Sequence, residues 1–375
     1  MSTVYLQKAT KPEYVYGLLE LMNPIISKSH VFIKPNIVAP FGPLSGIVTD
    51  PELVRWVIEY FRQRGIQRIT IGEIPGLGVN VEQAFRVSGF RKLADETGVD
   101  LVDLSMQEVV HLPWAYGTIQ IPKIAMESYY VNMPKLKTHV NTTVTLGLKN
   151  QKGLISADIK KLVHREGLHR PLVDIAKVVR PNLNIIDGII GLQGDGPCSS
   201  GKKIRSNVLI ASSDILAADV VGCRVMGIDP LDVEHIKLAA EAGIGSVDPV
   251  IYGERIQNVE VSFKRANELF RRIFNFTVWR NTRACSMCGS QISSAVKQIA
   301  VSPRLAITFG PKFAYRFLFA GINVVYGRDA SVPMNNSGII CLGMCTKELA
   351  KKHGYVWVNG CPPQAKDIVD GFQRL

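Results

Sequence analysis

Strand and helix signals alternate along roughly the first 260 residues, and this alternation constrains the fold more than any other feature of the sequence. The apolar run of residues 30–37 predicts a buried strand. Asp50 and Pro51 then predict a helix start, as N-cap and first helical residue, and Gly65 predicts the helix end. The next apolar run, residues 68–74, predicts a second strand. Such a strand–helix–strand unit implies parallel strands and a right-handed crossover.

Similar units recur further along the chain. The additional strand predictions are residues 129–133, 183–186 and 207–211, and the helix predictions between them include residues 160–179 and 215–226. The sequence therefore predicts an α/β fold with a mostly parallel sheet and flanking helices. In such sheets ligands bind beyond the carboxyl ends of the strands, so we expect a site in the loops that leave those strands.

The character of the sequence changes near residue 263. A basic and aromatic segment that begins at Lys264 leads into a shorter stretch with spaced cysteines and further strand and helix signals. We therefore predict two domains. Residues 1–262 form an α/β domain with basic anion-binding loops, and residues 263–375 form a smaller α/β domain that carries an iron–sulfur cluster.

The composition is that of an ordinary globular protein, with 46% hydrophobic and 20% charged residues in a chain of 375. The N-terminus lacks the apolar core of a secretory signal, and the apolar stretch 313–326 is interrupted by Arg316 and too short to cross a bilayer. We therefore expect a cytoplasmic protein with no membrane span. In that compartment its seven cysteines predict metal binding or redox chemistry rather than disulfides.

The net charge is +12, from 44 Lys and Arg against 32 Asp and Glu. Part of this excess is concentrated between Lys135 and Arg170, where eight basic residues accompany only Asp158 and Glu166. The sequence has no nucleic-acid-binding motif, and its basic residues are not interleaved with aromatic ones. We therefore expect a cationic site for a small anion and no nucleic-acid partner.

Four cysteines of the C-terminal third have the spacing of cluster ligands. Cys285 and Cys288 form a Cys-x-x-Cys pair, Cys345 follows the strand predicted at residues 338–342, and Cys361 lies in a Gly-Cys-Pro-Pro segment. Helices are predicted just after them, and a helix N-terminus favours the thiolate form of cysteine. A 4Fe–4S cubane requires four thiolates, so we predict these four cysteines as its ligands.

Two alternatives for the cysteines stay open in the sequence. Cys341 could replace Cys345 as the third ligand or be a buried strand residue, and we prefer Cys345 because it lies in the loop at the end of the strand. A structural zinc ion would use the same thiolates, although the long gap after Cys288 is unlike a zinc ribbon. Cys198 and Cys223 are expected to be packing residues.

The order of the cysteines resembles a known pattern. The pair Cys285 and Cys288, the Gly-x-Cys at Cys345 and the Gly-Cys-Pro-Pro at Cys361 are similar to the proximal 4Fe–4S pattern of hydrogenase small subunits and of the related subunit of respiratory complex I. The resemblance is confined to roughly the last quarter of the chain. It implies a 4Fe–4S cluster and does not imply hydrogenase activity.

A second resemblance covers about two thirds of the chain and is carried by several long motifs. These are Lys34–Ile37, Asn132–His139, Gly147–Gly153, Ile186–Pro197 and the pair Asp214 and Asp219. They are similar to the family called domain of unknown function 362. The resemblance implies that the chain is a member of that family, in which ferredoxin-like cluster modules are common. The hydrogenase-like order of the cysteines in this chain departs from a ferredoxin repeat.

Polar residues of these motifs and of the segment that follows are the candidates for a site in the first domain. The predicted substrate-binding residues are Lys34, Asn36, Lys135, Lys137, Lys149, Asn150, Lys152 and Asp195. The predicted catalytic residues are His139, His164, His169 and Asp187. Cations beside imidazoles and a carboxylate suit the binding of a carboxylate or phosphate and the movement of protons on it. The glycines that bound residues 147–153 predict a loop whose backbone approaches the anion closely.

The leading functional hypothesis is a 4Fe–4S oxidoreductase of anaerobic metabolism that acts on a small anionic substrate or cofactor. A second hypothesis is a non-redox lyase or isomerase, in which the cluster is a Lewis acid with one iron free of thiolate. A third is a non-enzymatic electron-transfer protein, whose basic residues, including Lys264 and Arg265, dock an acidic redox partner. The short Gly76-Leu-Gly78 segment does not predict NAD binding, and the sequence leaves an oligomer open.

Overall fold

A computed structural model of the chain describes residues 2–266, 276–279, 287–301, 315–327, 330 and 338–375. The chain divides into two compact units, Met1–Lys160 with His169–Lys264, and Lys161–Leu168 with Arg265–Leu375. The first unit contains a ten-stranded sheet and a two-stranded hairpin, and the second contains a four-stranded sheet. The domain boundary expected near residue 262 stays a prediction.

The strands of the first unit are β1 (Thr3–Lys8), β2 (His30–Pro35), β3 (Arg68–Glu73), β4 (Asp100–Asp103), β5 (Val109–Trp114), β6 (Gly117–Pro122), β7 (Tyr129–Met133), β8 (Lys135–His139), β9 (Thr143–Thr145), β10 (Leu183–Gly194), β11 (Gly201–Ser212) and β12 (Val250–Gly253). Those of the second unit are β13 (Phe276–Trp279), β14 (Ile322–Tyr326), β15 (Ile339–Leu342) and β16 (Val356–Val358).

The described α-helices are α1 (Tyr14–Met22), α2 (Pro51–Gln63), α3 (Val81–Val87), α4 (Phe90–Thr97), α5 (Lys123–Glu127), α6 (Gly147–Asn150), α7 (Ala157–Arg165), α8 (His169–Val178), α9 (Ile215–Val225), α10 (Glu234–Glu241), α11 (Ile256–Val259), α12 (Met287–Val301), α13 (Lys347–His353) and α14 (Ala365–Gln373). Short 3-10 turns lie at Pro43–Ser45, Leu104–Met106, Gln151–Leu154, Pro230–Asp232 and Met344–Thr346, and a π-helical turn lies at Arg316–Ala320.

The main path of the large sheet runs β12-β1-β11-β10-β7-β2-β3-β4. The strands from β10 to β4 pair in parallel, as do β1 and β12, whereas β11 is antiparallel to both of its neighbours. β8 pairs in parallel with β10 just beyond β7, and it pairs antiparallel with β9. The predicted α/β fold with a mostly parallel sheet is confirmed.

The predicted strand–helix–strand unit forms from its local signals. The Asp50 carboxylate accepts a hydrogen bond from the backbone N–H of Glu52 at 3.0 Å, and Pro51 is the first residue of α2. The apolar face of α2, which includes Phe61, is buried. Gly65 adopts a left-handed backbone with φ +81°, and the chain then enters β3.

Alternate residues of the central strands bury their side chains on opposite faces of the large sheet. Ile185 of β10 belongs to an apolar cluster with helices α1 to α4, and Ile186 belongs to a cluster with α6, α8, α9 and α10. The same alternation occurs at Leu209 and Ile210 of β11. Helices therefore cover both faces of the sheet, as a buried parallel sheet requires.

Three local predictions for the first unit were wrong in detail. The helix predicted at residues 160–179 is two helices, because Gly167 and Leu168 adopt left-handed φ values of +90° and +53° that interrupt a right-handed helix. The loop predicted at residues 147–153 is α6 followed by a 3-10 turn. The segment that follows β7 is not a loop but the strand β8, so its lysines lie within the sheet.

The four described strands of the second unit are all parallel and are adjacent in sequence order. Ile340 and Leu342 of β15 pack in a cluster with α12 and α14, whereas Cys341 between them packs in another cluster with Ala350 of α13. This sheet is the smaller C-terminal α/β part that the sequence predicts. Most of the basic and aromatic segment after Lys264 lies outside the described residues.

Candidate functional site

Lys34 and Glu73 form a buried ion pair where β2 and β3 end. The Lys34 Nζ atom lies 2.8 Å from Glu73 Oε2 and also donates to the Pro35 carbonyl oxygen at 3.0 Å. The same carboxylate accepts the backbone N–H groups of Ile37 at 3.2 Å and Ile74 at 3.0 Å. Burial lowers the pKa of Lys34, and Glu73 acts in the opposite direction. Lys34 therefore has the partner that a lysine in an apolar strand requires.

Lys135 and Asp187 form a second buried ion pair, between the parallel strands β8 and β10. Lys135 Nζ lies 2.7 Å from Asp187 Oδ2, which also accepts the backbone N–H of Asp50 at 2.9 Å. Asp187 Oδ1 accepts the backbone N–H of Ile189 at 3.3 Å. Burial, followed by the charge of Asp187, raises the pKa of Asp50. The carboxylate predicted to be catalytic is thus held by one lysine and two backbone groups.

Lys137 and Lys149 differ from these two lysines because neither amine is paired with a carboxylate in the described part of the chain. Lys137 is buried, and its Nζ atom donates to the Ile47 carbonyl oxygen at 2.9 Å. Burial lowers its pKa to about 7, and the charges of Lys149 and Lys135 also lower it. Burial, and then the charge of Lys152, lower the pKa of the half-buried Lys149 well below its ordinary value.

The backbone that carries Lys149 is held by buried polar side chains. Asp219 of α9 accepts the N–H groups of Gly147 at 2.6 Å and Leu148 at 2.9 Å, at the start of α6. Asn150 donates its amide to Asn132 Oδ1 at 2.9 Å and so ties the end of α6 to β7. Burial raises the pKa of Asp219 to about 7, which the two N–H groups oppose. The predicted residue Asn150 is therefore an anchor of the segment.

The half-buried thiol of Cys198 lies within reach of the same charges. Burial raises its pKa, whereas Lys137 and Lys149 lower it. The sequence analysis predicted that Cys198 is a packing residue. No local signal indicated that Cys198 lies near Lys137 and Lys149, because both lysines are distant from it in the chain. Asn36 and Asp195 are both buried, and the Asn36 backbone N–H donates to Thr49 Oγ1 at 2.8 Å.

The three predicted histidines lie in different surroundings. The His139 ring is buried, and its Nδ1 atom accepts the N–H groups of Asn141 at 3.0 Å and Thr142 at 3.3 Å, which is a turn-stabilising role. His164 lies in the segment that groups with the second unit. The structure therefore does not gather the three imidazoles around one point within the first unit.

His169 lies instead beside His235, a residue that the sequence analysis did not single out. Their ring centroids are 5.7 Å apart, and His169 Nε2 is 3.5 Å from Glu234 Oε2. His235 is fully buried, and neither of its ring nitrogens has a hydrogen-bond partner in the described structure. Burial lowers its pKa well below the ordinary value, with smaller contributions from His169 and Lys149, so its ring is neutral.

Two further buried residues were missed. The Gln151 side chain is fully buried directly after α6, and both polar atoms of its amide lack a partner among the described residues. Lys160 is buried and donates to the carbonyl oxygens of Ile74 and Pro75, each at 2.6 Å, and burial lowers its pKa to about 8. A lysine on the buried side of an amphipathic helix was the signal that could have identified Lys160.

These contacts divide the predicted cations into two classes. Lys34 and Lys135 are neutralised by buried carboxylates. Lys137 and Lys149 lie within reach of each other's charge without such a partner in the described ranges, and Lys152 is half-buried in the same segment. A small anion is the ligand that such an arrangement can hold, because it offsets like charges in a site of low dielectric.

In the second unit, two predicted cluster ligands approach the same backbone position. Gly343 has φ +89°, and a Cβ atom built on it would lie 3.5 Å from Cys288 Sγ and 3.7 Å from Cys345 Sγ. The backbone N–H of Met344 donates to the Gly360 carbonyl oxygen at 3.2 Å, which brings the segment before Cys361 alongside. The two thiols that approach Gly343 are of the type that holds a thiolate-bound metal or cluster.

Cys341 lies in a different environment from Cys345. It is fully buried in the apolar cluster that includes Val325 and Ala350, and the Cys288 side chain belongs to the other cluster. Burial raises the pKa of the Cys341 thiol to about 11, with a contribution from Cys345. These surroundings suit a packing residue, because a thiolate is disfavoured there.

The fourth predicted ligand, Cys285, lies outside the described residues. Within the described ranges, no three or more His, Cys, Asp or Glu side chains are grouped closely enough to hold a metal ion. Cys345 and Cys361 are both exposed. The assignment of the four cysteines to a cluster stays a prediction.

No helix in the described portion of the chain has the length and apolar character needed to cross a membrane.

Comparison with known proteins identifies the family of the first unit. A curated thylakoid-associated protein of the cyanobacterium Synechocystis sp. is 28% identical to this chain over 222 residues, which is 57% of this chain and 68% of that protein. The sequence model of the domain of unknown function DUF362 matches residues 31–224, a range that includes Lys34, Lys149 and Asp219. It ends before His235 and all four predicted cluster cysteines. The chain therefore belongs to the DUF362 family.

Proposed function

We propose that the protein is a 4Fe–4S oxidoreductase that binds a small carboxylate or phosphate at the amines of Lys137 and Lys149. The observation that carries this proposal is that neither of these two buried or half-buried amines meets a carboxylate in the described part of the chain, while the charge of Lys149 acts on Lys137. The pairs of Lys34 with Glu73 and Lys135 with Asp187 show that two other buried lysines of the same unit are neutralised by carboxylates of the chain.

Physical chemistry supports an anionic ligand there. Removing an ammonium group from water costs several kcal/mol unless an opposite charge lies close by, so each amine tends to lose its proton. A bound anion would restore the protonated form of Lys137 by supplying the missing charge, and the Lys149 amine can donate a hydrogen bond to the anion while it stays neutral. Without a ligand the pKa of Lys137 is about 7, so near neutral pH this amine takes up a proton when the anion binds and returns it when the anion leaves. The amines bind and orient the anion, and the buried surroundings exclude water.

The cysteine arrangement supports the redox part of the proposal. Cys288 and Cys345 both approach the space beside Gly343, and Cys361 follows a backbone segment that is hydrogen-bonded to the Gly343 loop. We propose that these three and Cys285 hold the cluster, in the order that resembles hydrogenase small subunits. When bound, a 4Fe–4S cluster supplies one-electron transfer.

Anaerobic purification followed by iron and sulfide analysis tests the cluster. The expected result is about four iron and four sulfide per chain, with an EPR signal after dithionite reduction. Zinc in place of iron, or a metal-free protein after anaerobic reconstitution, would overturn the redox proposal. An EPR spectrum that changes on addition of an anionic substrate would instead favour a cluster with an open iron and Lewis-acid chemistry.

Calorimetric titration with phosphate and with oxalate tests the anion site. We expect saturable binding that is lost in K137M and in K149M and retained in K202M, because Lys202 is an exposed lysine on β11. Equal affinity in all four proteins would contradict a site at these amines. A protein with a cluster but no anion binding would be better described as an electron-transfer partner that docks an acidic protein.

We also propose a cytoplasmic location. The name of the Synechocystis relative gives thylakoid association for that protein. Fractionation of the native host distinguishes the two locations, and recovery of the chain with membranes after a high-salt wash would contradict the proposal.

A further inference from the structure

Lys149 differs from the other lysines of the site in the state of its amine. Lys34 and Lys135 donate to carboxylates, and Lys137 donates to the Ile47 carbonyl oxygen at 2.9 Å. The amine of Lys149 has neither a hydrogen bond nor an ion pair among the residues that the structure describes. It is half-buried in α6, a segment that Asp219 and Asn150 fix in place.

We propose that Lys149 is a nucleophile that captures the carbonyl group of a 2-oxo acid as a Schiff base, with the carboxylate of that substrate held by Lys137 and Lys152. This inference rests on the proposed anion site and names its substrate class. A 2-oxo acid fits because its carboxylate and its reactive carbonyl lie on neighbouring carbons, while Lys149 lies in α6 and the cation Lys152 lies in the 3-10 turn that follows it directly.

The chemical step balances without an oxidant or a reductant. The lone pair of the Lys149 Nζ atom attacks the carbonyl carbon and forms a C–N bond. The amine gives up two protons to the former carbonyl oxygen, which leaves as water, and a C=N bond remains. The step requires a neutral amine, so a lysine that is desolvated beside other cations is suited to it.

The surroundings of Lys149 meet that requirement. Burial and the charge of Lys152 both favour the neutral amine. The fully buried His235 belongs to α10, which packs against α8, and α8 packs in turn against α6, the helix that carries Lys149. Neither nitrogen of the His235 ring has a partner in the described structure, and the Lys149 charge acts on the ring. A neutral imidazole offers one N–H donor and one lone pair, so it can receive and return a proton during the loss of water.

Lys160 provides an internal control for the reactivity of a buried amine. Burial also lowers its pKa, to about 8, but its Nζ atom donates to the carbonyl oxygens of Ile74 and Pro75, each at 2.6 Å. An amine held in this way is not available to attack a carbonyl carbon. Lys149 and Lys160 therefore share a lowered pKa and differ in whether the amine is engaged.

The inference is tested by trapping. The full-length protein is incubated with pyruvate or 2-oxoglutarate, treated with sodium cyanoborohydride and analysed by intact and peptide mass spectrometry. We expect one stoichiometric adduct on the peptide that contains Lys149 and none on Lys160. We expect K149R, whose guanidinium cannot form the imine, to lose the adduct while K160R retains it. Circular dichroism of each variant confirms that it is folded.

The possible outcomes separate this inference from the anion site itself. No adduct, or an adduct on Lys137, overturns the role of Lys149 even if phosphate and oxalate still bind. An adduct that survives in K149R also overturns it. If the unmodified protein forms no adduct and also binds neither phosphate nor oxalate, the proposed anion site is overturned as well. We also expect C198A to retain the adduct. Cyanoborohydride reduces an imine, whereas it does not reduce the hemithioketal that the Cys198 thiol could form with a 2-oxo acid.

Discussion

Lys34 Nζ and Glu73 Oε2 lie 2.8 Å apart, with side-chain exposures of 0% and 4%. The two residues come from adjacent parallel strands, β2 and β3, near their carboxyl ends. A lysine and a glutamate that are 39 positions apart in the chain thus neutralise each other inside the sheet. This pair distinguishes Lys34 from the cations that we assign to anion binding.

Removing one member of this pair should destabilise the fold strongly. In K34M, Glu73 would be left as a buried carboxylate without its counter-charge, which typically costs about 3–5 kcal/mol in the free energy of unfolding. Urea denaturation measures this loss as a decrease in the free energy of unfolding of the first unit. The double variant K34M/E73M is the control, and we expect it to be more stable than K34M alone. Equal stability of K34M and the unmodified protein would show that the pair is unimportant.

Gly153 should tolerate no side chain. A Cβ atom at this position would collide with Glu73 Oε1 and Lys34 Nζ, so G153A must displace the buried ion pair. We expect a loss of about 1–3 kcal/mol, the usual range for overpacking, measured by thermal or urea denaturation. Gly17 in α1 is the matched control, because a Cβ there meets nothing within 4 Å. G17A should stabilise the protein by up to about 1 kcal/mol through helix propensity.

Anion binding should weaken as the pH rises through about 7. Lys137 has a pKa lowered from 10.5 to about 7, chiefly by burial, with Cys198, Lys149, Lys135 and Glu73 as the charged or titratable groups that act on it. An anion favours the charged amine, so it raises this pKa and binding takes up a proton. The affinity for oxalate should fall by at most about tenfold per pH unit above 7 and level off at lower pH.

Calorimetry in buffers of different ionisation enthalpy measures this proton uptake directly. Uptake should be largest between the pKa of the free protein and that of the complex, and it should shrink in K137M if residual binding is measurable. A pH-independent affinity between pH 6 and 9, roughly the range over which a lysine of this pKa titrates, would contradict the assignment.

The two cysteines of β15 and its following turn should differ in their effect on the cluster. C345S should lower bound iron and sulfide after anaerobic reconstitution, because Cys345 Sγ lies beside the Gly343 position that Cys288 also approaches. C341A should retain both, because the Cys341 side chain is fully buried in an apolar cluster. Iron and sulfide analysis with visible absorption measures the difference. The opposite result would make Cys341 the ligand.

Much of the fold was predictable from local signals. Asp50 and Pro51 marked the start of α2, apolar runs marked β2 and β3, and their alternation predicted the parallel sheet. Such signals succeed because capping depends on neighbours in sequence, and because the apolar run that predicts a buried strand is formed by consecutive residues. The two helices α7 and α8 were predicted as one, since the left-handed conformation of a leucine such as Leu168 has no local signature.

The candidate site was predictable only in part. The sequence determined which residue types are present: a lysine-rich segment, a glycine-bounded turn and four spaced cysteines. It also determined membership of the DUF362 family through residues 31–224. Only the tertiary structure decided that Lys34 and Lys135 meet Glu73 and Asp187 while Lys149 meets no carboxylate in the described chain. The reason is that the energy of a buried charge depends on partners from distant strands, which are adjacent only after the sheet has formed.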